Sequence, residues 1–154
     1  MFKLMPPTMG GIRQGDKHGS GVFGAPRGSL LHKGVDYLVR PGDAVVAPCR
    51  GVVTRLGRCY ADTDEYKLVE INTGVTVVRV LYVQPIVGGG DYVTAGEPIG
   101  FAADLTKRYP GISNHVHLEV RLIQGTVLMG RGERSGGDDR TPSHIWVDPG
   151  LFME

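Results

Sequence analysis

Val116-His117-Leu118-Glu119-Val120-Arg121-Leu122 alternates apolar and polar residues without a break. A period of two belongs to a β-strand, so Val116, Leu118, Val120 and Leu122 face a core while His117, Glu119 and Arg121 face the other way. His115 shares the parity of His117. Two histidines so placed stand about 6.6 Å apart at Cα with parallel side chains. One can hold a metal ion while the other stands beside it, and they need not both be ligands.

The same period recurs along the chain. Runs at Val35 to Val39, Ala44 to Ala47, Gly51 to Leu56, Lys67 to Asn72 and Thr76 to Val83 are rich in valine and separated by Pro-Gly, Gly-Gly and Asn-Thr-Gly turns. Twenty-four glycines and ten prolines punctuate the sequence, and no apolar stripe of helical period has any length. The pattern predicts an all-β fold, a compact antiparallel β-sandwich or barrel-like body with long loops. One short helix is expected at most, from Asp104 to Tyr109, because Pro110-Gly111 ends it early. Gly42-Asp43-Ala44-Val45-Val46-Ala47 and Gly90-Asp91-Tyr92-Val93-Thr94-Ala95 share a Gly-Asp-x-Val-x-Ala frame, which reads as a duplicated hairpin. With 154 residues the chain is expected to form a single domain. Residues 1–20 are expected as an N-terminal extension, and residues 129–141, spanning the polar Gly130 to Arg140, as a flexible loop.

Charge narrows the partners. Seventeen Lys and Arg nearly cancel sixteen Asp and Glu, and no basic stretch is interleaved with aromatics, so nucleic acid is not an expected partner. No segment approaches the ~20 apolar residues of a membrane span. Met1-Phe2-Lys3-Leu4-Met5-Pro6-Pro7 lacks the apolar run of a secretory signal, so synthesis in a cytoplasm is expected. Cys49 and Cys59 flank the run at Gly51 to Leu56 and could face each other across a turn. Without a signal peptide, reduced thiols are the expectation.

The motif His32-Lys33-Gly34-Val35-Asp36 lies about eighty residues before His115-Val116-His117. On a straight strand His32 and Asp36 would stand about 13 Å apart, too far to share an ion bound at ~2 Å. A bend at Gly34, which reaches backbone angles closed to other residues, would let both converge with His117 from a neighbouring strand. Two histidines and one aspartate are the ligands of an open Zn2+ site, whose fourth position is left to a water of pKa near ~7. His115, beside the ion but spared from ligation, is the candidate for proton transfer or oxyanion stabilisation.

These residues closely resemble the LytM/lysostaphin-type zinc endopeptidases, over most of the chain. Phe23-Gly24-Ala25-Pro26-Arg27 resembles a Phe-Gly-x-Arg-like element ahead of the first motif. Val45 to Val53 looks like the family's strand-turn-strand, Val93 to Gly100 like its later hairpin, and Trp146-Val147-Asp148-Pro149 like its closing segment. The resemblance implies a β-sheet sandwich, zinc on His32, Asp36 and His117, a catalytic His115, and peptide cross-links of bacterial peptidoglycan as substrate. One departure stands out. Where active members usually carry another histidine in a Tyr-Ala-His-Leu-like strand end, this chain has Tyr82-Val83-Gln84-Pro85. Gln84 is the expected auxiliary catalytic residue, since its amide can donate a hydrogen bond, and losing an oxyanion donor costs on the order of 10²- to 10³-fold in rate. His144, His18 and Tyr82 are further candidates for that role. Tyr82 to Ile86, Tyr109 to His117 and Asp16 to Gly21 also look like the branch of leukocyte cell-derived chemotaxin 2, a secreted animal member that keeps the zinc site and is regarded as non-proteolytic.

The expected function is zinc-dependent hydrolysis of a peptidoglycan stem or cross-bridge peptide, at the bacterial cell wall or periplasm. A wall-degrading protein made without an export signal needs another route, which points to phage origin and to delivery by a holin or in a virion. A zinc-stabilised module that binds cell wall or a partner without cutting is the reading Gln84 favours. The Gly-Asp hairpins also resemble biotinyl, lipoyl and phosphohistidine carriers, but no Met-Lys or Asp-Lys acceptor sits at a hairpin tip, and a phosphohistidine carrier has no use for Asp36.

Overall fold

The computed structural model describes residues 2–123, 132–134 and 145–153. Its strands are β1 (Pro26–Arg27), β2 (Leu30–Leu31), β3 (Gly34–Leu38), β4 (Ala44–Val46), β5 (Gly51–Arg58), β6 (Lys67–Asn72), β7 (Thr76–Pro85), β8 (Tyr92–Val93), β9 (Pro98–Ala102), β10 (His115–Leu122), β11 (Gly132–Arg134) and β12 (Ile145–Val147). Every strand pair given a register is antiparallel. The predicted helix is one 3-10 turn at Leu105–Lys107, capped by the Asp104 side chain accepting from the Thr106 N–H. A second such turn, Pro149–Phe152, closes the chain, and none of the described residues is in an α-helix.

β10 lies in the middle of the main sheet, which runs β11-β12-β10-β7-β6-β5-β8. His115 to Glu119 pair with β3 on one side, and His117 to Leu122 with β7 on the other. The apolar face predicted from alternation is buried: Val116, Leu118 and Val120 have no exposed surface and pack with Val45, Val69, Ile71, Val78, Val80 and Ile99. The opposite face of β10 is buried too, at His115, His117 and Glu119. Buried charge needs partners, and those partners form the site.

The duplicated hairpin is visible in hydrogen bonds. Gly42 N–H donates to Ala102 O while Ala102 N–H donates to Asp43 O, and Gly90 with Asp91 makes the same exchange with Val53. Gly42 and Gly90 have φ of 84° and 93°, a conformation that glycine enters without strain.

Residues expected as an extension are tied to the body of the fold: Leu4 is buried and bridges Met153, and Ile12 bridges Tyr37. Apolar and charged contacts at Leu4 and Arg13 hold that segment down. The flexible loop expected at 129–141 falls outside the described residues except for Gly132–Arg134, which pairs with β12.

Cys49 and Cys59 are free thiols. They do not face each other, because Cys49 belongs to the main core and Cys59 packs against Tyr66, Ala103 and Leu105. Burial pushes the Cys49 thiol up to about 12 and that of Cys59 up to about 11. At neutral and mildly basic pH the Cys49 thiolate is then scarce, and the thiolate is the reactive species. A colorimetric thiol titration is expected to find Cys49 silent in the native protein and both thiols reactive in urea. Rapid native labelling of Cys49 would contradict the packing.

Candidate metal centre

Asp36 on β3 and His117 on β10 are directly opposite in the antiparallel register, so their side chains emerge on the same face. His32 reaches them because the short β1-β2 hairpin turns the chain back before β3 begins. His32 N–H donates to Ala25 O, and His32 O accepts from Gly24 N–H. Gly34 is not the bend that the sequence suggested. Its φ lies outside the left-handed region, and its glycine is required for space: a Cβ there would lie 2.2 Å from Leu118 O and 2.8 Å from His117 Nε2.

His32 Nε2, Asp36 Oδ1 and His117 Nδ1 form a triangle with sides of 3.0 Å. Three donors each 2.0–2.1 Å from a tetrahedral zinc ion stand ~3.3–3.4 Å apart, so opening each side by ~0.3 Å admits the ion. The set of two imidazole nitrogens and one carboxylate oxygen suits zinc chemically. Each ring is oriented from behind. His32 Nδ1–H donates to Val22 O at 2.9 Å, which leaves Nε2 as the free nitrogen. His117 turns Nε2 to Glu119 Oε1 at 3.4 Å, an outer carboxylate of the kind that fixes ligand histidines.

Electrostatics follow from this crowding. Burial would raise the Asp36 carboxyl, but hydrogen bonds from His117 and His32 outweigh it and hold it below the usual carboxylate range. Burial would likewise lower His117, yet its hydrogen bonds to Asp36 and Glu119 push it up to about 9. Arg13 donates from Nη1 to Asp36 Oδ2 at 2.9 Å, and the side chain is only 2% exposed. Arg27 Nη2 stands 3.7 Å from the same oxygen.

His115 is brought to the site without joining the triangle. Its Nδ1–H donates to Ser113 O at 2.7 Å, and Nε2 lies 3.4 Å from Asp36 Oδ2. Burial lowers its pKa against the opposing pull of Asp36. The Tyr82 ring packs edge-on against it at 5.7 Å. Tyr82 has φ 73°, the one positive value outside glycine among the described residues. It is the unpaired residue of a bulge, since Leu81 pairs with Leu68 and Val83 with Lys67. A bulge re-aims a side chain, and strain of this kind gathers at functional sites.

Gln84 is not in the site. Beyond Leu81, β7 leaves β10 and pairs with β9, where Gln84 faces Phe101. Its amide is exposed and donates to Glu65 O. His18 does reach the rim, with Nε2 at 3.1 Å from Pro110 O and its ring against Tyr109. His144 lies outside the described residues. Arg13 had no signal in the sequence, for a single arginine between glycine-rich turns does not advertise burial.

The triangle and His115 open on a cleft of about 300 Å³, walled by Tyr60, Tyr82, Tyr109, Leu81 and Ile112 and rimmed by His18 and Arg27. The site combines two histidines and one aspartate grouped so that they could hold a metal ion, one adjacent histidine and aromatic walls.

Residues 31–135 match the family described as "Domain of unknown function (DUF8155) N-terminal domain". Leukocyte cell-derived chemotaxin-2 of Bos taurus is 36% identical over 109 residues, covering 70% of this chain and 72% of that protein. The catalytic domain of the antimicrobial peptidase lysostaphin from Staphylococcus simulans superposes with a TM-score of 0.52 at 22% identity, covering 68% of this chain and 79% of that one. A catalytic domain of the prophage-encoded protein EnpA from Enterococcus faecalis gives 0.54 at 20% identity, over 93% of this chain and 97% of that one. Against whole lysostaphin the chain spans 43% of that protein's length. At these identities the two bacterial structures share the fold.

Proposed function

Because the chain belongs to the leukocyte cell-derived chemotaxin-2 family, on the fold of the lysostaphin-type peptidases, we propose that His32, Asp36 and His117 hold one zinc ion. We propose further that the site hydrolyses peptide cross-links of bacterial peptidoglycan, with His115 as the proton acceptor. The observation that carries the reading is the triangle of donor atoms with 3.0 Å sides, set beside a histidine that is not needed for ligation. Zinc bound there supplies a Lewis acid and lowers the pKa of water.

The chain supplies the rest. With Nδ1–H held by Ser113 O, the His115 lone pair sits on Nε2, and burial keeps the ring neutral near pH 7, the form that accepts a proton. The apolar faces of Leu81 and Ile112 suit a peptide backbone laid along the cleft. With Gln84 turned away, His115 works without a second ring, and a slow rate is expected.

The same turning away of Gln84 favours a second reading, a zinc-keeping module that holds a wall peptide or protein partner without cutting it. Release of free amines from purified peptidoglycan separates the two. Under the first reading the zinc-loaded protein releases amines, a chelator abolishes release, and His115→Ala loses it. Binding to peptidoglycan with no amine release would establish the second.

The raised pKa of His117 fixes how zinc binding depends on pH. In the metal-free protein, stability from the charged ring is fully present below its ordinary value near 6.5 and is lost as pH rises through about 9. Zinc must displace that proton. Apparent zinc affinity is therefore expected to rise about tenfold per pH unit between pH 7 and 9, as read by competition with a chelating dye. A flat profile over that window would contradict displacement of a His117 proton by zinc.

A further inference from the structure

We propose that Arg13, clamped by Asp16, is a positioning residue that keeps the metal site open on one side and fixes the orientation of His115. The inference rests on the zinc reading above. Both residues precede the 31–135 segment that matches the family, so nothing in that match assigns them a role.

The clamp is a chain of hydrogen bonds that can be followed atom by atom. Arg13 Nε donates to Asp16 Oδ2 at 3.0 Å and Nη2 to Asp16 Oδ1 at 2.7 Å, a two-pronged pair. The remaining nitrogen, Nη1, donates to Asp36 Oδ2 at 2.9 Å. Asp16 Oδ2 also accepts from Ser113 N–H at 3.0 Å, and Ser113 O accepts from His115 Nδ1–H at 2.7 Å. Asp16 Oδ1 accepts from His18 N–H at 2.7 Å, which ties in the rim of the cleft. One planar guanidinium thus connects a metal ligand to the adjacent histidine. Only arginine has a rigid fork of donors that can serve both carboxylates at once.

Two consequences follow. Asp36 has two oxygens, and Oδ1 alone points into the triangle. Because Oδ2 is held by Arg13, the carboxylate is confined to one bond with an ion at the triangle, and the fourth position stays available. Release of Oδ2 would let the carboxylate swing to two-point ligation and fill that position. On the other branch, Asp16 anchors Ser113, and Ser113 selects the His115 tautomer that leaves Nε2 free. The backbone supports the same arrangement: Arg13 N–H donates to Asp36 O, and Gly21 O accepts from Asp36 N–H. A Cβ on Gly21 would lie 2.7 Å from Arg13 Cβ and 2.9 Å from Asp36 Cβ, so the three segments touch with no room to spare.

The test uses the full chain as wild type, Arg13→Lys and Asp16→Asn, with three readouts. These are zinc affinity by dye competition, the visible spectrum of the Co2+-loaded protein, and ¹⁵N chemical shifts of the His115 ring. Arg13→Lys retains the charge but not the fork, and zinc affinity is expected to fall about 10- to 100-fold. Its Co2+ bands should weaken as coordination rises above four. Asp16→Asn is expected to leave the Co2+ spectrum closer to wild type and to convert the His115 ring from one tautomer to a mixture, which loss of bulk stability would not do. If Arg13→Lys fails to fold, the His115 tautomer in Asp16→Asn decides alone. Wild-type affinity, Co2+ spectrum and His115 tautomer in both variants would overturn the proposal while leaving the zinc reading intact. A wild-type protein that takes up no zinc or Co2+ would overturn both.

Discussion

Replacing Asp36 with alanine is expected to abolish zinc binding and to destabilise the metal-free fold by about 3–5 kcal/mol. Asp36 is 2% exposed and is the common neighbour of the site, within 3.0 Å of His32 Nε2 and His117 Nδ1 and 2.9 Å from Arg13 Nη1. Two effects add. The ion would lose its one anionic ligand, and Arg13, itself 2% exposed, would keep a buried charge with Asp16 as its remaining partner. Removing one member of a buried pair is costly because the charge left behind has no water to turn to. Zinc titration and urea unfolding in the presence of a chelator measure the two effects separately. A loss of affinity with stability changed by under ~1 kcal/mol would mean that Asp36 is a ligand but not the anchor of the buried network.

Gly34→Ala is expected to have the next largest effect, although it adds one methyl group at a residue whose own φ is not left-handed. The new Cβ would meet Leu118 O at 2.2 Å and His117 Nε2 and Cε1 at 2.8 and 2.9 Å. The first contact is backbone, so β3 must move away from β10 at the pair that holds Gly34 opposite Glu119. The other two push directly on a candidate ligand ring. A cost of about 3 kcal/mol in stability and a zinc affinity lower by on the order of 100-fold are expected. Gly89→Ala is the control, since a Cβ there meets nothing within 4 Å and a change within about 0.5 kcal/mol is expected. Equal behaviour of the two variants in urea unfolding and zinc titration would show that β3 yields more easily than its register implies.

The fold was legible where burial imposes a period. β10 announced its two faces because Val116, Leu118 and Val120 fill the core while His117 and Glu119 turn to the site. Lys67 to Asn72 was readable to the residue for the same reason. Two-residue strands such as β1 and β2 were not, for two residues carry no period, yet their hairpin is what delivers His32. His32, Asp36, His117 and His115 could be grouped from spacing and parity, and the structure brings those four together. The reason for Gly34 was misread, because sequence shows that a glycine is present but not whether it serves an angle or a close approach. Gln84 was misplaced because Tyr82 carries a bulge that no local composition signals, and β7 changes partner just beyond it. Arg13 was invisible: its burial depends on two carboxylates, Asp16 and Asp36, that meet only in the folded chain.

X-ray absorption at the zinc edge, on protein titrated to saturation, tests the zinc assignment most directly. One zinc per chain is expected, four-coordinate, with nitrogen and oxygen neighbours at ~2.0–2.1 Å, an imidazole pattern for two histidines and no sulfur. That signal should disappear in His32→Ala. A sulfur shell at ~2.3 Å, which would implicate Cys59 or Cys49, or the absence of stoichiometric zinc at saturation, would contradict it.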